Sequence, residues 1–128
     1  MAVKKFDLED RLIDFAVLII NFVEALPNRK AANHLGGQLL RSGTSPTLNY
    51  GEARSAESRN DFIHKMKICL KELRESYNCL RIFYRAGIFD SEQQILFLLE
   101  ECNELISIFV KSISTATIKE MGSKSETI

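Results

Sequence analysis

The chain has 128 residues, of which 45% are hydrophobic and 27% charged, and its 17 Lys and Arg residues balance 17 Asp and Glu residues. This composition is typical of a single soluble domain, large enough to bury a core without metal ions or disulfides, and it excludes a disordered chain. A membrane span is also excluded, because the longest uncharged apolar stretch, residues 15–23, is shorter than a bilayer requires.

The first predicted helix covers about residues 7–26. Asp7 and Asp10 form a capping pattern at its start, and Pro27 and Asn28 end it. Apolar side chains recur at helical spacing along it, at Leu8, Leu12, Phe15, Ile19, Phe22, Val23 and Leu26.

The second predicted helix covers about residues 29–52, and its end is the least well-defined boundary. Its apolar positions are Ala32, Leu35, Leu39 and Leu40. Pro46 lies within it, so the chain there either kinks or starts a new helix.

The third predicted helix covers residues 58–86. Ser58 and Asp61 give a capping pattern, and Gly87 is suited to the left-handed conformation that often ends a helix. Large side chains alternate four and three residues apart, the seam expected of nearly parallel helix packing. These side chains are Phe62, Met66, Leu70, Leu73, Tyr77, Leu80 and Tyr84.

The fourth predicted helix covers about residues 91–118, with Asp90 or Ser91 as its cap. One apolar stripe contains Ile95, Leu98, Cys102, Leu105 and Phe109, and a second contains Leu99, Ile106, Val110 and Ile113. Residues 122–128 are polar and lack periodicity, so we expect a mobile tail.

Four amphipathic helices with short connections predict an all-α, antiparallel up-down-up-down four-helix bundle over residues 1–121. The apolar coverage of the first and fourth helices exceeds what one bundle core needs. Either the core stripe is wide, or part of this surface contacts another subunit.

Charge is balanced overall but not along the chain. Residues 27–88 carry 11 basic and 5 acidic side chains, a net +6, and the remaining residues carry 6 basic and 12 acidic ones, a net −6. One stripe of the third helix contains Lys67, Lys71, Arg74, Arg81 and Arg85. It is interpreted in three ways: a solvated flank, a contact with the acidic helices of a neighbouring subunit, or a contact with nucleic-acid phosphates.

A line of polar residues follows the second helix at helical spacing. If Arg41 is partly buried there it needs a carboxylate, and we hypothesise a bridge to Glu72 or Glu75 of the third helix that fixes the helix register. The polar line consists of Gln38, Arg41, Ser45, Asn49 and Glu52.

The sequence contains no recognisable catalytic, metal or cofactor motif, and no small-molecule substrate is expected. Asp61-x-x-His64 is a single ligand pair, whereas a di-metal bundle needs two such pairs and further carboxylates, and His34 is the only other histidine.

An odd number of cysteines without Cys-x-x-Cys spacing indicates buried thiols in a reducing compartment. With acidic residues where a signal peptide needs its apolar core, this predicts a cytoplasmic protein.

Short segments between residues 38 and 87 resemble a known family: Leu39 to Ser45, Asn49, Glu52 to Arg54, Ser58-Arg59, Asp61 to Ile63, Lys65, Leu70 to Glu72, Arg74-Glu75, Leu80-Arg81 and Ala86-Gly87. They are similar to the four-helix bundle proteins encoded by intervening sequences of bacterial 23S ribosomal RNA genes. That family includes the accessory variability proteins of diversity-generating retroelements.

The resemblance implies a bacterial, non-enzymatic bundle that assembles as a ring-like homo-oligomer, a pentamer, and that in the retroelement branch binds nucleic acid and a reverse transcriptase. Two functions are therefore expected. One is an oligomeric structural or adaptor role, and the other is an accessory role in which the stripe of the third helix binds RNA or DNA.

Overall fold

A computed structural model describes residues 7–126, with side chains up to residue 122. Four helices form it: α1 (Leu8–Glu24), α2 (Lys30–Arg54), α3 (Arg59–Ala86) and α4 (Glu92–Glu126). Each helix packs against the next in sequence, and α4 also packs against α1. Within the described residues, the backbones of α1 and α3, and those of α2 and α4, do not approach each other, and these pairs meet through core side chains such as Phe22 with Phe83. This arrangement confirms the four-helix bundle, with α1 and α3 on diagonal corners.

The predicted caps define the helix ends. The side chains of Asp7 and Ser58 each accept a hydrogen bond from the backbone N–H three residues on, at 3.2 and 3.0 Å. Ser91 does the same at 3.2 Å, so it, rather than Asp90, caps α4. Gly87 ends α3 with φ 64°, in the left-handed region where a Cβ atom is disfavoured.

Two helices extend beyond their predicted ends. α2 is one continuous helix through the buried Pro46, which neither starts a new helix nor ends this one. α4 continues to Glu126, past the end expected near residue 118, because a helix satisfies its own backbone hydrogen bonds after its apolar periodicity stops. The mobility expected of residues 122–128 stays a prediction, and residues 127 and 128 lie outside the described residues.

The core runs the length of the bundle and agrees with the stripes predicted for α1 and α4. In α1 the buried side chains are Leu8, Leu12, Phe15, Ile19 and Phe22, and in α4 they include Ile95, Leu98, Cys102, Leu105 and Phe109. At one end, the Phe22 ring packs edge-on against Phe83, with ring centroids 5.3 Å apart. None of the helices between residues 7 and 126 has the combination of length and apolar character needed to span a bilayer.

The seam predicted for α3 is partly wrong. Met66, Leu73 and Leu80 are buried as expected, but Tyr84 is exposed and the side chains at 62, 70 and 77 are only half-buried. The other core positions of α3 are Ile63, Cys69, Ser76, Cys79 and Phe83. The core face is therefore turned toward α2, where smaller side chains allow the two helices to approach closely.

Glycines bring α1 and α2 together. A Cβ atom at Gly43 would lie 2.9 Å from both Cγ atoms of Ile19, and one at Gly36 would lie 3.1 Å from Leu26 Cδ1. Ordinary carbon contacts are about 3.5–4.0 Å, so a larger residue at Gly43 requires the helices to move apart.

Candidate interaction surfaces

The basic stripe of α3 faces outward. All of its members are exposed, and within the described part of the chain none of them forms an ion pair; they are Lys67, Lys71, Arg74, Arg81 and Arg85. Arg81 lies over the Tyr77 ring, with the guanidinium carbon 6.0 Å from the ring centroid. Helical rise places Lys67 and Arg85 about 27 Å apart along α3. The stripe, called here the basic face, is a continuous patch of uncompensated positive charge.

The bridge hypothesised for Arg41 is present. Its Nη1 donates to Glu72 Oε2 at 2.9 Å, and its Nη2 donates to Glu75, so one guanidinium joins α2 to two carboxylates of α3. The hydrogen bond to Glu75, with the charges of both carboxylates, raises the pKa of Arg41. The structure therefore confirms Arg41 as a link between the two helices.

The rest of the polar line does not act as one network. Glu52 accepts from Lys65 Nζ at 3.2 Å and is a second link to α3. Asn49 instead donates to the Ser45 carbonyl at 3.1 Å, within α2. Gln38 is exposed and has no hydrogen-bond partner among residues 7–126. Only two of the five predicted positions therefore join α2 to α3.

The buried polar contact between α2 and α3 was not predicted. Ser76 Oγ lies 2.8 Å from Ser42 Oγ and 3.0 Å from the Glu72 carbonyl oxygen, and both serines are fully buried. Ser42 Oγ lies 3.4 Å from the Leu39 carbonyl, which accepts its proton. The available signal was the position of Ser76, three residues after Leu73 and four before Leu80 on an otherwise apolar stripe.

One ionic cluster ties α1 to α4, and it too was missed. Arg11 donates to Glu101 at 2.7 Å and to Glu104 at 2.6 Å. The hydrogen bond to Glu101 is the main cause of the raised pKa of Arg11. Since only spatial proximity connects these residues, no sequence spacing could have identified them.

The outward side of α1 combines exposed apolar and acidic side chains. Ile13, Val17 and Ile20 retain 41%, 48% and 40% of their accessible surface, on the side of α1 away from the core. Asp10, Asp14 and Glu24 are exposed on the same side, and no ion pair within the described chain neutralises them. We call these six residues the acidic face.

The second stripe of α4 mainly widens the core. Leu99 and Ile106 are half-buried against it and Ile113 is buried, while Val110 keeps 43% of its surface exposed. For this stripe of α4 the wide core is therefore the better interpretation, although Leu96 and Phe97, outside the stripe, are exposed. The outward side of α1 also has an apolar stripe without a partner in the described protomer.

The cysteines and histidines provide no reactive centre. Cys69 and Cys102 are fully buried, and burial raises the pKa of both thiols to about 12, which keeps them protonated and unreactive. The burial predicted for the thiols is confirmed, since Cys79 is buried as well. His34 and His64 are both exposed, and residues 7–126 contain no cluster of His, Cys, Asp and Glu able to hold a metal ion.

A surface depression of about 730 Å³ lies between the start of α3 and the end of α4. Its lining includes Ser58, Arg59, Phe62, Thr115 and Lys119, and contains neither a histidine nor a cysteine. The Ser58 side chain is already engaged as the cap of α3. The other hydroxyl groups of the lining, on Ser112 and Thr115, form no hydrogen bond with another side chain among the described residues.

Similarity to known proteins supports the fold and identifies the family. A crystal structure of a protein of unknown function from the S23 ribosomal protein family of Bacteroides thetaiotaomicron matches with a TM-score of 0.78 and 33% sequence identity, over 84% of this chain and 98% of that one. No curated protein has a significant match to the sequence. Residues 4–111 match the model of the family described as 23S rRNA-intervening sequence protein. The chain therefore belongs to the 23S rRNA-intervening sequence protein family.

Proposed function

We propose that this protein is a non-enzymatic, cytoplasmic structural or adaptor subunit that functions as a homo-oligomer, in a ring for which the family resemblance implies five subunits. The observation that carries the proposal is the apolar stripe on the outward side of α1. Three aliphatic side chains there, Ile13, Val17 and Ile20, each keep at least 40% of their surface exposed. A contiguous exposed apolar patch of this kind is characteristic of an interaction site.

The spacing of these residues favours a helical or flat partner. Positions 13, 17 and 20 follow the i, i+4, i+7 pattern, so the side chains form a ridge along one side of α1. A different ridge of α1 faces the core and is buried there. The outward ridge therefore has no packing role within the protomer, whereas it can pack against a second subunit.

Sedimentation velocity over a wide protein concentration range tests the proposal. The wild-type protein should sediment as an oligomer, and Val17→Ser should shift its dissociation to higher concentration. Leu48→Ser is the matched control, because Leu48 is also exposed but lies on α2, away from the outward side of α1, so its replacement should leave the assembly unchanged. A wild-type protein that stays monomeric at the highest concentration would refute the proposal.

The basic face supports a second candidate, binding of RNA or DNA. Its exposed cations have no ionic partner in the described protomer, so they are available for phosphates. Binding through all of them would release counterions and give a log–log salt dependence with a slope of up to about −4.5 for a duplex.

A salt titration with structured RNA, read by fluorescence anisotropy, tests this candidate. Replacing the five cations of the basic face by Gln should abolish the salt-dependent binding. Replacing Arg54 and Lys65, which already pair with Glu9 and Glu52, should have little effect. Absence of binding at low ionic strength, or binding that survives the five replacements, would exclude this function.

A further inference from the structure

We propose that the acidic face of one protomer docks on the basic face of a second copy of the chain. This inference rests on the homo-oligomer proposed above and specifies which surfaces meet. It requires the two faces to be accessible in the same protomer, to match in length, to have opposite charge and to be able to cover the exposed apolar side chains.

The positions of the two faces allow such a contact to repeat. α1 and α3 occupy diagonal corners of the bundle, and the described residues bring them together through core side chains such as Phe22 and Phe83 rather than through their backbones. Their outward sides therefore point away from each other, and each protomer presents one face to each of two neighbours. Such a head-to-tail contact is heterologous, and it generates a closed ring when the rotation between subunits is right.

The two faces are similar in length. The carboxylates of the acidic face extend from Asp10 to Glu24, about 21 Å along α1. The cations of the basic face extend from Lys67 to Arg85, about 27 Å along α3. One helix can therefore lie along the other with charged groups of opposite sign facing each other over most of the contact.

Charge also selects this pairing over a symmetric one. If two copies paired through α1 alone, Asp10, Asp14 and Glu24 of one copy would face the same carboxylates of the other. Two basic faces would repel each other for the same reason. Juxtaposed like charges disfavour both symmetric contacts, whereas the acidic face and the basic face attract and guide each other.

The basic face can also cover the apolar ridge. Lys and Arg have long aliphatic stems, which lie along apolar surface while their charged ends reach outward to carboxylates. Ile82 lies among these residues and keeps 47% of its surface exposed. The stems together with Ile82 therefore supply an apolar surface for Ile13, Val17 and Ile20, while the flanking charges pair. Nucleic acid bound to the basic face would have to displace this neighbouring subunit.

Charge reversal followed by mixing tests the pairing in the full-length protein. One variant carries Lys71→Glu with Arg74→Glu on the basic face, and the other carries Asp14→Lys with Glu24→Lys on the acidic face. All four residues are exposed, and none of them has an ion-pair partner among residues 7–126, so circular dichroism should show both variants folded. Each variant alone should dissociate at concentrations at which the wild type is assembled. In an equimolar mixture the two variants should associate in alternation, as mixed dimers, open chains or rings with an even number of subunits.

A control variant, Lys30→Glu with Lys111→Glu, changes the net charge by the same amount as Lys71→Glu with Arg74→Glu, but at exposed positions outside both faces. It should assemble like the wild type. Assembly of the Lys71 and Arg74 variant by itself, or the absence of any mixed species in the mixture, would overturn the pairing even though the wild type is oligomeric. A monomeric wild type would instead refute the homo-oligomer itself, so the two failures can be told apart.

Discussion

Replacing Gly43 by alanine should destabilise the protein, although alanine is the better helix former. In the interior of a helix such as α2, replacing glycine by alanine stabilises the helix by about 1 kcal/mol when nothing else changes. At Gly43, however, the new Cβ would lie 2.9 Å from Ile19 Cγ1 and Cγ2 and 3.2 Å from Ile19 Cβ. Ile19 is fully buried and β-branched, so no change of rotamer can relieve a contact that includes its Cβ.

The helices must therefore separate, and overpacking of this kind costs about 1–3 kcal/mol. Set against the gain in propensity, the free energy of unfolding should fall by about 1 kcal/mol. Gly37→Ala is the matched control, because Gly37 is exposed in the same helix and a Cβ there meets no atom within 4 Å. This control should stabilise the protein by about 0.5–1 kcal/mol.

Urea denaturation followed by circular dichroism, at one fixed protein concentration for all variants, measures both changes. Two further variants, Ile19→Ala alone and Ile19→Ala combined with Gly43→Ala, test whether contact with Ile19 causes the loss of stability. Because the added methyl fills part of the space left by Ile19, the double variant should lose less stability than the sum of the single losses. Stabilisation by Gly43→Ala, or strict additivity in the double variant, would refute the argument from close helix contact.

Three further predictions concern the buried and ionic contacts. Ser76→Ala should lower the free energy of unfolding by about 1 kcal/mol, and adding Ser42→Ala should lower it little further. If a double-mutant cycle instead gives additive losses, the two hydroxyls are not coupled. The thiols of Cys69 and Cys102, with pKa values raised from 9.0 to about 12, bind more protons in the folded state than in the unfolded state between these values. The free energy of unfolding should therefore fall as pH rises from 9 toward 12. In urea titrations, replacing both cysteines by alanine should make this fall less steep. An unchanged dependence of stability on pH would contradict the raised thiol pKa values. Arg41→Gln should lower the urea midpoint at low salt. The effect should be smaller at about 1 M salt, because the screening length there falls to about 3 Å. A loss of stability that does not depend on salt would instead assign the contribution of Arg41 to packing of its aliphatic stem.

Much of the fold was predictable because the sequence marks it locally. Asp7 and Ser58 cap their helices through hydrogen bonds to backbone only three residues away, and Gly87 adopts the conformation for which glycine is suited. The main stripe of α4 is fully buried because its members recur three and four residues apart and so lie on one side of the helix. Such signals depend on neighbours in sequence, so they survive without knowledge of tertiary contacts.

The misplaced seam of α3 shows where this approach fails. Counting large apolar residues favoured Tyr77 and Tyr84, whereas the core includes Ser76 and Cys69. Where two helices approach closely, small side chains occupy the contact and larger ones are displaced to its edges. A tyrosine at such an edge keeps its hydroxyl available, as the 2.8 Å hydrogen bond from Tyr84 to Glu92 illustrates.

The candidate surfaces were predictable in part for a similar reason. The basic stripe and the Arg41 bridge were evident from spacing and from the need of a guanidinium for a carboxylate. Excess apolar coverage of α1 was expected from the sequence, but Ile13, Val17 and Ile20 were not identified as the residues that provide it. The Arg11 cluster joins residues 90 and 93 positions apart and left no trace in the local pattern.

α1 and α3 carry net charges of opposite sign, so the protomer has an uneven charge distribution despite equal numbers of basic and acidic residues in the chain. A molecule of this kind is electrically neutral only at long range. Near a charged matrix a dissociated protomer can turn either its α1 side or its α3 side toward the matrix, so at neutral pH and low ionic strength it should be retained on cation-exchange and anion-exchange resins alike.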